Sequence, residues 1–151
     1  MMGNVSSEPK VTNCIFWGNT PPDFADENMS FSTVTYSDLG GWPGTGNINA
    51  DPCFVNPDAN DYHLLPGSPC IDAGDTTAAC SALDLDGNPR AIDDPHTTNA
   101  GLSASDSLNV VDMGAYEFQP CRIAGDNNCD GVVDLKDLAI LCNNWLAGTE
   151  P

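Results

Sequence analysis

The chain has 151 residues, with 22 Asp and Glu against 4 Lys and Arg, and a formal net charge of −18 at pH 7. A charge of that sign and size excludes nucleic acid and anionic membranes as electrostatic partners, because both are polyanions. The 14 glycines and 12 prolines favour turns and short strands over long helices, and no stretch approaches the roughly 20 apolar residues that insertion into a membrane requires.

The opening stretch, "MMGNVSSEPK", lacks the apolar core of a signal peptide. Residues 11–19, "VTNCIFWGN", and 31–38, "FSTVTYSD", alternate β-branched or aromatic residues with polar ones and end in turn formers, which predicts two short strands. Ile15 and Val34 stand 19 positions apart. That is near the length of one coil of a parallel β-helix, and an antiparallel hairpin with a long connection fits the same spacing. From 40 to 75 the chain is punctuated by Pro43, Pro52, Pro57, Pro66 and Pro69, which rule out a long helix. "CFV", "YHLL" and "CIDA" are apolar islands between those turns. Residues 76–109 read as loop, with "DLDGNPR" the sharpest turn signal, and "NVVDMGAYEF" (109–118) is the last strand candidate.

Cysteines occupy positions 14, 53, 70, 80, 121, 129 and 142, with no CxxC pair. That spread argues against a zinc ribbon or a thioredoxin-like site and for disulfides in an oxidising compartment. Cys70 and Cys80 bracket a short polar loop and form the favoured pair, with one of Cys121 or Cys129 joined to Cys142 as the second.

After a linker at 119–124 comes "GDNNCDGVVDLKDLAILCNNWL" (125–146). Counted from Asp126, side-chain oxygens fall at loop positions 1, 3, 5, 9 and 12: Asp126, Asn128, Asp130, Asp134 and Asp137, with Gly131 at position 6 and the Val132 carbonyl at position 7. This is the spacing of an EF-hand loop, with Asp where Glu is commoner at position 12. Calcium takes six to eight hard oxygens at ~2.3–2.6 Å, and four crowded carboxylates repel one another until a cation neutralises them. The plainer reading is a polar turn whose Asp134 caps a helix and whose Asp137 favours the helix N-terminus. Leu135, Leu138, Leu141, Cys142, Trp145 and Leu146 then make an amphipathic stripe, which packs on its own domain or docks a partner.

Other signals are weaker. Asp84, Asp86 and Asn88 alternate within "DLDGNPR" but lack a later acidic ligand, so they predict a turn. His63 and His96 have no nucleophile context and read as structural or solvent-facing. Lys10, Arg90, Arg122 and Lys136 are too scattered to assemble the base of a polysaccharide lyase. Trp17, Trp42 and Tyr62 are candidate stacking platforms for a carbohydrate.

Two resemblances follow from these motifs. "NCIFWGN", "VTYSDLGGWPGTGNINADPCFVNPDANDYHLLPGSPCIDAGD", "DLDGNPR" and "DMGAYEF" resemble the last coil and cap of secreted bacterial right-handed parallel β-helix proteins, pectin-lyase-like in fold, whose cap is called a choice-of-anchor Q region. "GDNNCDGVVDLKDLAILCNNWLA" resembles one type I dockerin repeat, although a full dockerin has two. Together they imply a mostly β fragment, the terminal coil and cap of a β-helix at 1–118, joined to a calcium loop and helix at 125–151. They imply a non-catalytic secreted or cell-surface protein whose tail serves attachment or assembly. Its N-terminal coils and leader would lie upstream, leaving an open edge inclined to self-associate. The dockerin resemblance assigns Asp126, Asn128, Asp130, Val132, Asp134 and Asp137 to Ca²⁺. It places Leu135 and Lys136 at positions that help choose a cohesin, and Trp145 on the apolar stripe joins them in facing a cohesin-like or self-association partner met through the 135–146 helix. The alternatives are the C-terminal portion of a polysaccharide lyase or hydrolase, and a carbohydrate-binding module.

Overall fold

A computed structural model describes residues 9–19, 33–104, 109–120, 125 and 133–147. The chain divides into two compact units, Met1–Phe118 and Gln119–Pro151.

Among the described residues of the first unit, regular structure is sparse. β1 (Lys10–Thr12) pairs in parallel with β2 (Thr33–Thr35), with Val11 opposite Val34. β3 (Phe54–Asn56) pairs antiparallel with β4 (Asp61–Leu64) across an irregular register. Local chemistry shapes that second pair. The Asn56 side chain accepts the Ala59 N–H, Pro57 opens a 3-10 turn over Pro57–Ala59, and Asn60 closes it with φ 62°. A second 3-10 turn, Thr76–Ala78, is capped by the Asp75 carboxylate.

The expected terminal coil and cap of a right-handed parallel β-helix is not what forms. Among the described residues there are four strands of three or four residues in two separate two-stranded sheets, with no stacked solenoid. The parallel pair runs at an offset of 23 residues, set by Val11 and Val34, and not at the 19 that links Ile15 to Val34. Ile15 instead bridges Asp38. The 109–118 segment, expected as a strand, is irregular, with bends at 113–116. The physical cause is competition for backbone amides. Asp and Asn side chains accept N–H groups locally, and a ladder cannot extend through residues whose donors are already taken.

Those side chains form a lattice. Asp112 accepts the N–H of Asp72 (2.8 Å) and that of Phe118. Glu117 accepts the N–H groups of Ile92 (2.8 Å) and Asp112 (3.1 Å). Asp72 accepts from Asp94 (3.1 Å), and Asp84 accepts from Asp86, Asn88 and Glu117 at 2.8–3.2 Å. Asp38, Asp72, Asp94, Asp112 and Glu117 are all buried. Burial is tolerable because buried backbone donors need partners, and these carboxyl groups supply them where strands do not. Arg90 crosses beneath, donating to the carbonyls of Asp112 (3.1 Å) and Gly114 (3.0 Å) with its Nε 3.7 Å from Glu117. Around the lattice sits a small apolar core of Leu64, Cys70, Ile71, Ala73 and Met113, flanked by Ile15, Tyr36, Ile48, Phe54 and Phe118.

The favoured Cys70–Cys80 bridge is absent. Cys70 is fully buried and donates towards Asp38 at 3.5 Å, Cys80 is exposed, and both thiols are free. Cys14, Cys53 and Cys142 are free as well, while Cys121 and Cys129 lie outside the described residues.

In the second unit α1 spans Leu135–Ala147. No helix among the described residues is long and apolar enough to cross a membrane.

Candidate functional site

A cleft of about 590 Å³ opens on the first unit. Its aromatic lining comes from four places in the chain: Trp17, Phe54, Tyr62 and Tyr116, with Leu85, Asn13 and Asn19 beside them. The size is that of a small-molecule or sugar subsite.

Each wall has a local cause. Asn13, at φ 56°, turns the chain after β1. Its side chain is locked to Asp75, accepting the Asp75 N–H at 2.6 Å and donating to the Asp75 carbonyl at 3.0 Å. That fixes the 13–19 arm from which Trp17 projects, 44% exposed. β4 carries Tyr62, also 44% exposed, whose ring meets Phe54 edge-on at 5.3 Å. Tyr116 arrives on the 113–116 bends because Gly114, at φ 101°, donates to the Asn13 carbonyl and passes against Ile15. A Cβ at Gly114 would stand 3.0 Å from Ile15 Cδ1, so glycine allows this approach. Leu85 is held by its N–H to the Ala115 carbonyl at 3.1 Å.

Behind the cleft lies His63. Its ring stacks on Tyr116 at 4.0 Å, its Nδ1 is 2.6 Å from Asp61, and its Nε2 is 2.8 Å from Asp86. Partial burial pulls the imidazole pKa down, but the hydrogen bonds with Asp61 and Asp86 outweigh it and leave the pKa raised. Deeper in, burial pushes the Asp72 carboxyl up to about 6. Burial beside Glu117 pushes Asp112 up to about 8, and burial raises Glu117 too.

The sequence-predicted platforms separate. Trp17 and Tyr62 share the cleft, while Trp42 is half-buried and lines no part of it. Asp84, Asp86 and Asn88 form a turn, as expected, with the Asp84 carboxylate occupied by backbone donors. Reasoning from sequence missed Phe54 and Tyr116 as companions and His63 as a link. The spacing of "DYHLL", which puts an acid two residues before the imidazole, was the available signal for His63.

No protein family, curated protein or solved structure matches this chain.

The calcium-loop residues Asp126, Asn128, Asp130 and Val132 lie outside the described residues. Asp134 and Asp137 are placed at the start of α1. The Asp134 carboxylate accepts the Lys136 N–H (2.7 Å), and the Asp137 carboxylate accepts the Asp134 N–H (2.7 Å). This resembles a capping box, with Asp137 reaching back to the N-cap amide and Asp134 capping the second helical amide, and the first helical bond runs from Leu138 to the Asp134 carbonyl. Asp137 is 2% exposed, although Leu135 and Lys136 beside it are exposed. Among the described residues no group of three or more His, Cys, Asp or Glu is arranged to hold a metal. On α1, Leu135, Leu138 and Leu141 are 80%, 51% and 48% exposed. Trp145 lies on the same helix.

Proposed function

We propose that the first unit is a non-catalytic carbohydrate-binding module of the cell surface, and that the tail is a calcium-organised helix for attachment. The observation that carries the first part is the cleft: Trp17, Tyr62 and Tyr116, from three separate segments, line one concavity. Aromatic faces bind the C–H faces of pyranose rings, and an amide such as Asn19 supplies directional hydrogen bonds. The described lining includes no carboxylate, imidazole, ammonium or guanidinium, which favours holding a ligand over transforming it. The net charge of −18 favours a neutral glycan over a polyuronate.

Calorimetry with neutral β-glucan and mannan hexasaccharides, alongside oligogalacturonate, tests this reading. A neutral oligosaccharide should bind, and Trp17→Ala should weaken it by at least about tenfold, the scale of losing one anchoring aromatic. Binding that survives Trp17→Ala and Tyr62→Ala together would reject the cleft as its site.

For the tail, Asp126, Asn128, Asp130, the Val132 carbonyl, Asp134 and Asp137 would hold one Ca²⁺, with Leu135, Lys136 and Trp145 facing a cohesin-like partner or a second copy of the chain. The cation would neutralise the loop and fix the helix start, so binding free energy becomes folding free energy. Calcium added to the full chain should give a calorimetric signal with Kd on the order of 10⁻⁴ M or somewhat tighter. It should also increase helix content, and Asp126→Ala should abolish both. No heat and no helix gain at millimolar calcium would leave only the capping box.

A further inference from the structure

We propose that His63 is the positioning residue of the cleft: as an imidazolium it ties Asp61 to Asp86 and holds Tyr62, Leu85 and Tyr116 in place, and on losing its proton it lets that wall go. The proposal rests on the cleft being the binding site, and its own test is made without ligand.

The argument begins with donors and acceptors. Both ring nitrogens of His63 face carboxylate oxygens, at 2.6 Å and 2.8 Å. An ionised carboxylate only accepts, and a neutral imidazole has one N–H to give. Both contacts are therefore satisfied only when both nitrogens carry protons. Deprotonation turns one lone pair towards an anionic oxygen, and one contact changes from attraction to repulsion.

Topology makes that local event matter. Asp61 and Asp86 stand 25 positions apart, on β4 and in the 84–88 turn. Their chain neighbours Tyr62 and Leu85 are cleft walls, and Tyr116, the third wall, stacks on the imidazole itself. The ionisable groups facing the ring are thus Asp61 from its own strand, Asp86 from the turn and Tyr116 from the 113–116 bends. His63 stacks on one of these walls, Tyr116, and its two carboxylate partners adjoin the other two in the chain, while His63 itself stands outside the lining. In a chain with 4 Lys and Arg, no other cation among the described residues touches these two acids.

The test uses the full chain with two readouts and two variants. The chain has 2 histidines, so the rings are readily separated by NMR. The His63 ring should titrate above the ordinary histidine value. Amide-exchange protection of 61–64 and 84–88, corrected for intrinsic rates and compared with core amides 70–73, should fall roughly tenfold from pH 5.5 to 8.5, the scale of one charged hydrogen bond. In His63→Gln that protection should be low at both pH values. Asp86→Asn, a milder change, should move the His63 titration back towards the ordinary value. A ring that titrates at or below the ordinary value, or an unchanged pH dependence in His63→Gln, overturns the clamp. So does an unchanged titration in Asp86→Asn. With a neutral β-glucan hexasaccharide, affinity should fall across the same pH range in the wild type and not in His63→Gln. A hexasaccharide that binds at no pH, while ring and exchange behave as described, removes the glycan reading and leaves the clamp standing.

Discussion

Asp112→Ala should cost the first unit a large share of its stability. The Asp112 carboxyl, 1% exposed, accepts the N–H groups of Asp72 and Phe118, which lie 40 and 6 positions away in the chain. Alanine leaves two largely buried donors with no partner and a hole where a carboxyl group was. At about 1–3 kcal/mol for each stranded donor, the loss is about 2–6 kcal/mol. A small domain has roughly 5–15 kcal/mol to lose. Asp112→Asn should cost about half as much, since it keeps the shape and one acceptor while turning an NH₂ towards the other amide. Urea unfolding followed by tryptophan fluorescence measures both. A midpoint within error of the wild type for the alanine variant would show that the lattice is incidental to stability.

The second expected result is a stability maximum on the acid side of neutrality. Burial raises the carboxyl pKa of Asp72 to about 6, of Asp112 to about 8, and that of Glu117 as well. A carboxyl whose folded pKa lies above its unfolded one contributes stability that is complete below the unfolded value. That stability is lost as pH rises through the folded value, because the folded state holds the extra proton. His63 acts in the same direction: its pKa is raised, so its contribution is complete below the ordinary histidine value and fades as pH rises through the folded one. Asp94 opposes them. Burial alone would raise it, but hydrogen bonds from the Thr97 hydroxyl and the His96 N–H bring it below the usual carboxylate value. Its contribution is therefore present above the unfolded value and lost as pH falls through the folded one. Asp61, lowered by its hydrogen bonds with His63, behaves likewise, though its exposure makes the effect small. The sum places the optimum at about pH 4–6, with a fall in thermal midpoint of roughly 10 °C or more by pH 9. A midpoint that is flat between pH 5 and 9 at constant ionic strength would show that these carboxyl groups ionise in place without cost.

How much of this was legible in the sequence differs from residue to residue. The β-branched stretches around Val11 and Val34 predicted strands, and strands form there, but only three residues long. The periodicity carried no information on how soon Asn13 and Tyr36, both at positive φ, would end them. The turn at Asp84 was legible because Asx turns are local. Asp112 was not, because its partner amides are distant and one more Asp among 22 acids carries no mark. Trp17 and Tyr62 could be nominated as platforms from their chemistry. That they meet depends on Gly114 passing against Ile15, a contact across about 100 positions that no local pattern encodes. The proposed calcium ligands are the reverse case: the spacing of Asp126 to Asp137 is wholly local, which is why a sequence can display it.

Carboxyl groups standing in for sheet partners have a consequence for spectroscopy. Far-ultraviolet circular dichroism responds to repeating backbone geometry, and the described residues of the first unit have little of it. An amide tied to Asp112 or Glu117 is nevertheless as shielded from exchange with solvent as one inside a ladder. The protein will therefore look nearly unstructured by one method and rigid by the other, with both readings correct. That contrast is useful in practice. Against so faint a background, a single 13-residue helix taking shape in the tail becomes one of the largest signals the molecule can give.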